Sequence, residues 1–509
     1  MSNDPTRRLA RLRLQLWTLV AGYFAGGFAI CLALVAAGAL LAAARLPVLG
    51  LVVALAGALF CKRFLPARSP VPPAEGVPVS EDEEPRLYGV VRRVAALVGA
   101  RCALEVVLTP GTGASCQEVG RLLGRGRRCR VELGVAQLQS VDEAQLEALL
   151  ALHLAHQADG DLLLRRAVWR TATTIEAWAG RTSPPLARPW RAYRERLVRT
   201  FRAWDAVHVH AADAAAARAV GLSSYRASLR RTTVLGPVFE QFLGEEVQPM
   251  LDEGYRPADL YGGFRQCLRV LGELGELERL ENEEAADKGG EGFPALGARL
   301  AYLDGLGLQL HVLSAGEAGR PARSLLADAK AVEERCAELR VPPREADGPP
   351  KGTLRWDETA ERVWAPRFAR AVAAVKGALP PGTSLGFVID WMALPSSLAL
   401  AGAAFPTLLE PGMEADERQA RARRLLGRAV AGWIGEVLVA RGWRWRTAPA
   451  CPVELEGPDG NRFAPLAWVA PALGDAEAAA RLRAELAELQ VLDEAGPAPE
   501  APRKRTYLH

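Results

Sequence analysis

The sequence predicts a mostly helical α+β protein with an amino-terminal transmembrane hairpin and a small carboxy-terminal α/β module. Three observations predict it. Two runs near the amino terminus, Leu14 to Ala44 and Leu46 to Cys61, hold no charged residue. Beyond them, stretches of helical period dominate and only a few short runs have strand character. Close to the carboxy terminus a strand-turn-strand pattern sits between two helical stretches.

Half of the 509 residues are hydrophobic, so the chain can build substantial cores, and its length suits about two to four domains. The formal charge of +4, from 63 basic and 59 acidic residues, is too small for a nucleic-acid binder of this length. No CxxC pair, P-loop or RNP-like run supports that class either, so nucleic acid is excluded as a partner. The eight cysteines are spaced singly, as expected of core thiols in a reducing compartment.

Residues 1–13 form a basic start carrying Arg7, Arg8, Arg11 and Arg13. Residues 14–61 read as a transmembrane hairpin turning at Arg45 to Pro47, because about 20 apolar residues cross a bilayer. Its uncharged core exceeds the roughly 7–15 residues of a cleaved signal peptide. Arginines before the hairpin and Lys62, Arg63 and Arg68 after it place both ends on the cytoplasmic side by the positive-inside rule. The membrane is therefore an expected partner. The expected location is the cell inner membrane, with the soluble part cytoplasmic. Residues 62–85 are a Pro-rich, then acidic linker.

The first folded unit is expected over residues 86–340. LYGVVRRVAALVGA has helical period, LEVVLTP and RRCRVELG read as strands, and DEAQLEALLALHLAHQ reads as a helix opened by acidic residues. Gly111 to Cys116 lacks the Lys-Ser/Thr of a phosphate loop and reads as a turn. A long helical run from Pro189 ends at Gly221, and Trp169, Trp178, Trp190 and Trp204 along this region read as packing residues. Arg188, Arg191, Arg199 and Arg202 fit either a solvated face, the commoner case, or a stripe facing lipid headgroups. RLENEEAADKGGEG reads as a polar break between helical hairpins. A second break, Val341 to Gly352, opens a helical connector over residues 341–422. Residues 423–494 form the small α/β module, with Pro458-Asp459-Gly460 as its hairpin turn, and residues 495–509 read as a disordered tail.

The stretch LLALHLAHQADGD, Leu149 to Asp161, carries the chemical question. A zinc-peptidase helix needs His-Glu-x-x-His: residues four apart share a helix face and grip one metal, while the Glu activates the metal-bound water. Here His156 stands at the second His position, Leu152 at the first and His153 at the Glu. Four of the six histidines, His153, His156, His208 and His210, fall in this stretch and in the long helical run after it.

LEALLALHLAHQADGD resembles the active-site helix of the HtpX-type membrane-bound zinc metallopeptidases, gluzincins related to the CAAX prenyl endopeptidases. Asp161 falls where that family's trailing Asp belongs. VHAADAAAARAVG, Val209 to Gly221, resembles the family's Glu-x-x-Ala-Asp signature, with Asp213 matching the Asp and Val209 at the third ligand position. FPALGARLAYL resembles a His-Pro stretch after the catalytic core, keeping Pro294, Arg299 and Leu303 but placing Phe293 at the His. The resemblance spans about Arg86 to Leu306. It implies a gluzincin-like metallopeptidase domain, a transmembrane hairpin, a strand pair before the active-site helix whose edge binds peptide, and zinc as the family's cofactor.

Leu152 and Val209 have no lone pair to give a metal, and His153 is no carboxylate base, so no catalytic residue is intact. The expected cofactor is therefore none, with zinc as the metal if His153, His156, His208 and His210 form a rewired site. Asp161 and Asp213 would orient ligand imidazoles in an intact gluzincin, or here pair with Arg165, Arg166 or Arg218 and hold helices together. The preferred reading is a non-catalytic module binding a peptide or protein ligand. The alternatives are an active zinc metalloendopeptidase with a non-standard His-based site, and a membrane scaffold acting through its carboxy-terminal module.

Overall fold

The structure, a computed structural model, describes residues 5–64, 75–100, 102–119, 128–158, 162–180, 184–286, 294–307, 319–341, 351–406 and 414–493. The chain is mostly helical with three small sheets, and it divides into two compact units. The first comprises residues 1–239 and 275–342, the second residues 240–274 and 343–509.

The first unit opens with α1 (Pro5–Ala43) and α2 (Pro47–Phe64), joined at Arg45, whose φ of 65° makes the reversal tight. α1 is long and apolar enough to cross a membrane, and the apolar part of α2, Pro47–Leu59, is shorter. The pair meets through glycines. A Cβ on Gly38 would lie 2.6 Å from the Gly50 carbonyl, and one on Gly57 would lie 2.9 Å from Leu34 Cβ. Small residues thus let two backbones approach, the usual way apolar helices associate where burial from water gives no drive. The beginning of the uncharged run is used differently. Leu16, Val20 and Tyr23 are buried against α6 (Leu162–Ala179) and α7 (Pro184–Val220).

A four-stranded sheet follows, formed by β1 (Val77–Val79), β2 (Ala103–Thr109), β3 (Ala114–Val119) and β4 (Arg128–Gly134) in the order β1-β2-β4-β3. β2 and β4 run parallel, with Val106 opposite Val131, and β3 runs antiparallel to β4, with Cys116 opposite Val131. Cys129, Val131 and Leu133 are buried at alternate positions, the period-two pattern of a packed face. α3 (Pro85–Leu97) is tied down by Tyr88, whose hydroxyl donates to Val79 O and accepts from Val106 N–H. The turn read over Gly111 to Cys116 needs correction, since Ala114 to Cys116 already belong to β3. That makes β3, and neither strand expected from the sequence, the edge beside the next long helix.

After the short helix α4 (Val135–Leu138), α5 (Glu143–Ala158) starts at a reciprocal capping box: Asp142 accepts from Gln145 N–H, and Gln145 accepts from Asp142 N–H. α7 ends at Gly221, whose φ of 95° suits the C′ position that glycine takes most easily, and α8 (Leu222–Phe242) follows at once. The polar run expected to be a break is helical over its first part, within Glu276–Ala286. Its i,i+3 and i,i+4 Arg279 pairs with Glu276 and Glu283 support that helix, and residues 287–292 lie outside the described residues.

The second unit takes in residues 240–274, which the sequence reading assigns to the first. Tyr255–Pro257 pairs in parallel with Gly352–Leu354, and Phe242 packs on Phe264 and Trp356. The expected hairpin is present: Glu454–Glu456 pairs with Arg462–Phe463 around Gly460, and Arg444–Arg446 adds a third strand. One core runs from Val375 to Val491, so the helices read as a connector and the module after them fold together.

Candidate functional site

α5 and α7 pack side by side, and the histidine-bearing parts of the two helices meet. Leu152 and Val209 are both buried apolar side chains. His156 and His208 meet with ring centroids 5.3 Å apart, and His208 stacks on Trp204 at 5.0 Å with 12° between planes. His210 turns the other way, its ring 4.4 Å from that of Tyr302 and its Nδ1 4.0 Å from Asp213. The four histidines therefore do not converge on one point. This follows from helix geometry, since residues 208 and 210 stand about 200° apart around the axis. Asp161 and Phe293 lie outside the described residues.

A buried ion pair holds this region. Arg299, from the helix Leu296–Gly305, donates two bonds to the Asp213 carboxylate at 3.0 and 2.6 Å and a third to the Tyr225 hydroxyl at 3.3 Å. Tyr225, on α8, donates to the same carboxylate at 2.5 Å. Asp213 is 0% exposed and Arg299 7%. Asp213 thus pairs with Arg299 rather than with the sequence candidates Arg165 or Arg218, and the side chain of Arg166 lies outside the described residues. Arg165 is instead bonded to Asp205 at 2.7 Å and lies over the rings of Phe201 and Trp204.

The electrostatics follow from burial and from that guanidinium. Burial chiefly, with repulsion from Arg299, brings His153 down to about 4. For His156, burial followed by repulsion from His208, Arg165, His153 and Arg299 brings the imidazole down to about 2. His210 is also lowered, by burial first, with Asp213 working against the shift. Burial raises Tyr225 well above the ordinary phenol range, so it remains a donor to Asp213. Burial alone would weaken the proton affinity of Arg299, but its bonds to Asp213 and Tyr225 and their charges turn the net shift upward.

These residues do not fit zinc. Catalytic zinc takes three protein ligands and an open position, and among the described residues no group of three His, Cys, Asp or Glu is placed to hold a metal. The region already has a cation in it: the Asp213 carboxylate is engaged by Arg299 on both oxygens. A dication near His156 would meet the field of Arg299 and Arg165, the same field that opposes protonation of that ring.

Sequence reasoning missed Tyr225, because a single Tyr within an ordinary helical run carries no motif. In the second unit it missed Glu246, which lies in the wide helical turn Leu243–Val247 and accepts the Ala450 N–H at 3.1 Å. Burial brings that carboxyl up to about 7. The second unit also has a cleft of about 380 Å³ lined by Arg446, Cys451, Glu454, Glu456 and Arg462. Its walls are charged and partly ion-paired, with Arg446 bonded to Glu456 at 2.6 Å.

No family model, no curated protein and no solved structure matches the chain.

Two outcomes are expected here. Arg299→Leu, which strands the Asp213 charge in the interior, should cost about 3–5 kcal/mol. The Asp213→Leu/Arg299→Leu pair should recover much of that loss in denaturant unfolding of the full chain in detergent; additive losses would contradict the pairing. The second concerns pH. His153 and His156 bind fewer protons folded than unfolded, so their contribution is fully present above the ordinary value of 6.5. It declines as pH falls, until the folded rings protonate at about 4 and about 2. Measured unfolding of His156→Gln should therefore show stability relative to the parent rising between about pH 7.5 and about pH 5, and a constant or falling difference would contradict it.

Proposed function

We propose that this chain is a membrane-anchored protein whose first unit is a gluzincin-like domain that no longer hydrolyses peptides with zinc and serves to bind an extended peptide or protein segment. The observation that carries the reading is the Asp213–Arg299–Tyr225 network, which places a permanent buried cation among the histidines of the zincin-like helices. A domain that fixes its helices with an internal ion pair keeps its fold without a metal, because fold and site are separable. α1 and α2 would form the anchor in the cell inner membrane, with the rest of the chain on the cytoplasmic side.

The binding surface in this reading is β3. It is an edge strand, paired on one side with β4, and α5 packs near it. A strand edge offers unpaired main-chain donors and acceptors to an incoming extended segment, and this is how zinc peptidases hold a peptide above the active-site helix. Ser115 and Gln117 both bond Glu132 across the pair at 2.9 and 3.5 Å, which fixes the strand that would serve as template.

The test uses the full chain in detergent with a fluorescent, permanently unfolded polypeptide, reading both anisotropy and cleavage. Saturable binding without cleavage, unchanged by a chelator, is expected. Prolines at Gln117 and Glu118, tested singly, should include one that weakens binding about tenfold, the scale of a lost main-chain hydrogen bond. Chelator-sensitive cleavage abolished by His156→Ala would replace this reading with that of an active metalloendopeptidase.

A further inference from the structure

The first part of α1 is not free to sit in lipid. Leu16 and Val20 share a core with Leu164, Val168, Leu197 and Trp204, and Tyr23 shares one with Ile175. The order of these contacts shows that α6 runs alongside α1 in the same direction: Leu164 and Val168 lie near Leu16 and Val20, and Ile175 lies near Tyr23. α7 returns the opposite way, with its Tyr193 hydroxyl donating to the Leu19 carbonyl and the Trp190 ring meeting that of Tyr23 edge-on at 6.2 Å. The carboxy-terminal end of α6 and the amino-terminal end of α7 therefore lie toward the α1–α2 hairpin.

The hairpin sets the level. Gly57 of α2 packs at Cys31 to Val35 of α1, and α2 continues seven residues to Phe64. In an antiparallel pair that brings its end level with about residues 24–28 of α1, at about 1.5 Å per residue. The aromatic cluster of Tyr23, Phe24, Trp178, Trp190 and Tyr193 lies at that level. Trp and Tyr concentrate where hydrocarbon meets headgroups. Over residues 184–202, six arginines face a single acidic residue, Glu195. Arg188, Arg191, Arg196, Arg199 and Arg202 are exposed, Arg199 being ion-paired with Glu195 at 3.8 Å, while Arg194 is ion-paired with Glu176 at 2.6 Å.

We propose that the ends of α6 and α7 nearest the hairpin form a docking surface for anionic phospholipid headgroups, with Trp178, Trp190 and Tyr193 seated at the bilayer interface and Arg188 and Arg191 of α7 on the phosphates. It rests on the reading of α1 and α2 as a membrane hairpin. Charge complementarity selects the occupant: guanidinium groups bind phosphate oxygens in fork geometry, and a cationic strip next to a membrane span meets the anionic leaflet at no cost in translational freedom. The surface would fix the first unit against the membrane.

The test uses the full chain and a variant with Arg188 and Arg191 changed to Gln. Resistance to carbonate extraction from membranes is read first, then Tm in detergent micelles containing either phosphatidylcholine or phosphatidylglycerol. An inserted parent protein whose Tm rises by about 5 °C with phosphatidylglycerol at low salt, and a variant with the parent's Tm in phosphatidylcholine but no such rise, are expected. An inserted parent with no rise, or a rise kept in the variant, overturns the headgroup surface alone. A rise reproduced by inorganic phosphate overturns lipid as the occupant. Release of the parent by carbonate overturns the membrane reading and this inference with it.

Discussion

Arg299 enters the first unit from the helix Leu296–Gly305 with its charge enclosed by protein, and Asp213 waits for it with no exposed surface at all. Neither ion could stay charged there alone, since removing either from water costs several kcal/mol. Together with Tyr225 they satisfy one another: two guanidinium bonds and one phenol bond converge on a single carboxylate. The three residues belong to α7, α8 and the helix Leu296–Gly305, so correct placement of three helices is a condition for the network to exist. A wrong register would strand a charge, which makes the network a device for specificity as much as for stability.

The rest of the region conforms to that constraint. With a fixed cation nearby and little water, His153 and His156 are held unprotonated far below their ordinary range. Leu152 and Val209 are buried and apolar, and Trp204 covers His208. Aromatic contacts and apolar packing join α5 to α7. The histidines then act as buried polar spacers between helices whose geometry the ion pair fixes.

Much of this architecture was legible in the sequence. α5 announced itself by its acidic start and helical period, α7 by its length and its glycine stop, β2 and β4 by their β-branched cores, and the last hairpin by Pro458-Asp459-Gly460. The proximity of the two histidine-bearing segments has no local signal in either of them. Other features depend on contacts that leave no local trace. β3 is short and polar, and its strand character comes from pairing with β4. Residues 240–274 join the second unit through ring contacts between Phe242, Phe264 and Trp356, far apart in the chain. The packed face of α1 over Leu16 to Tyr23 is hidden because an almost uniformly apolar run shows no contrast between its faces. Tyr225 could not be singled out, and Arg299 was visible only as a matched letter, because a buried ion pair is a property of three helices at once.

The measurement that bears most directly on the central claim is zinc content per chain, by elemental analysis of the full-length protein purified without chelator or histidine tag and dialysed against excess zinc. If the Arg299 cation has taken the place of a metal in this domain, zinc should stay far below one per chain and be unchanged by His156→Ala. Near-stoichiometric zinc that is lost on His156→Ala would contradict the account.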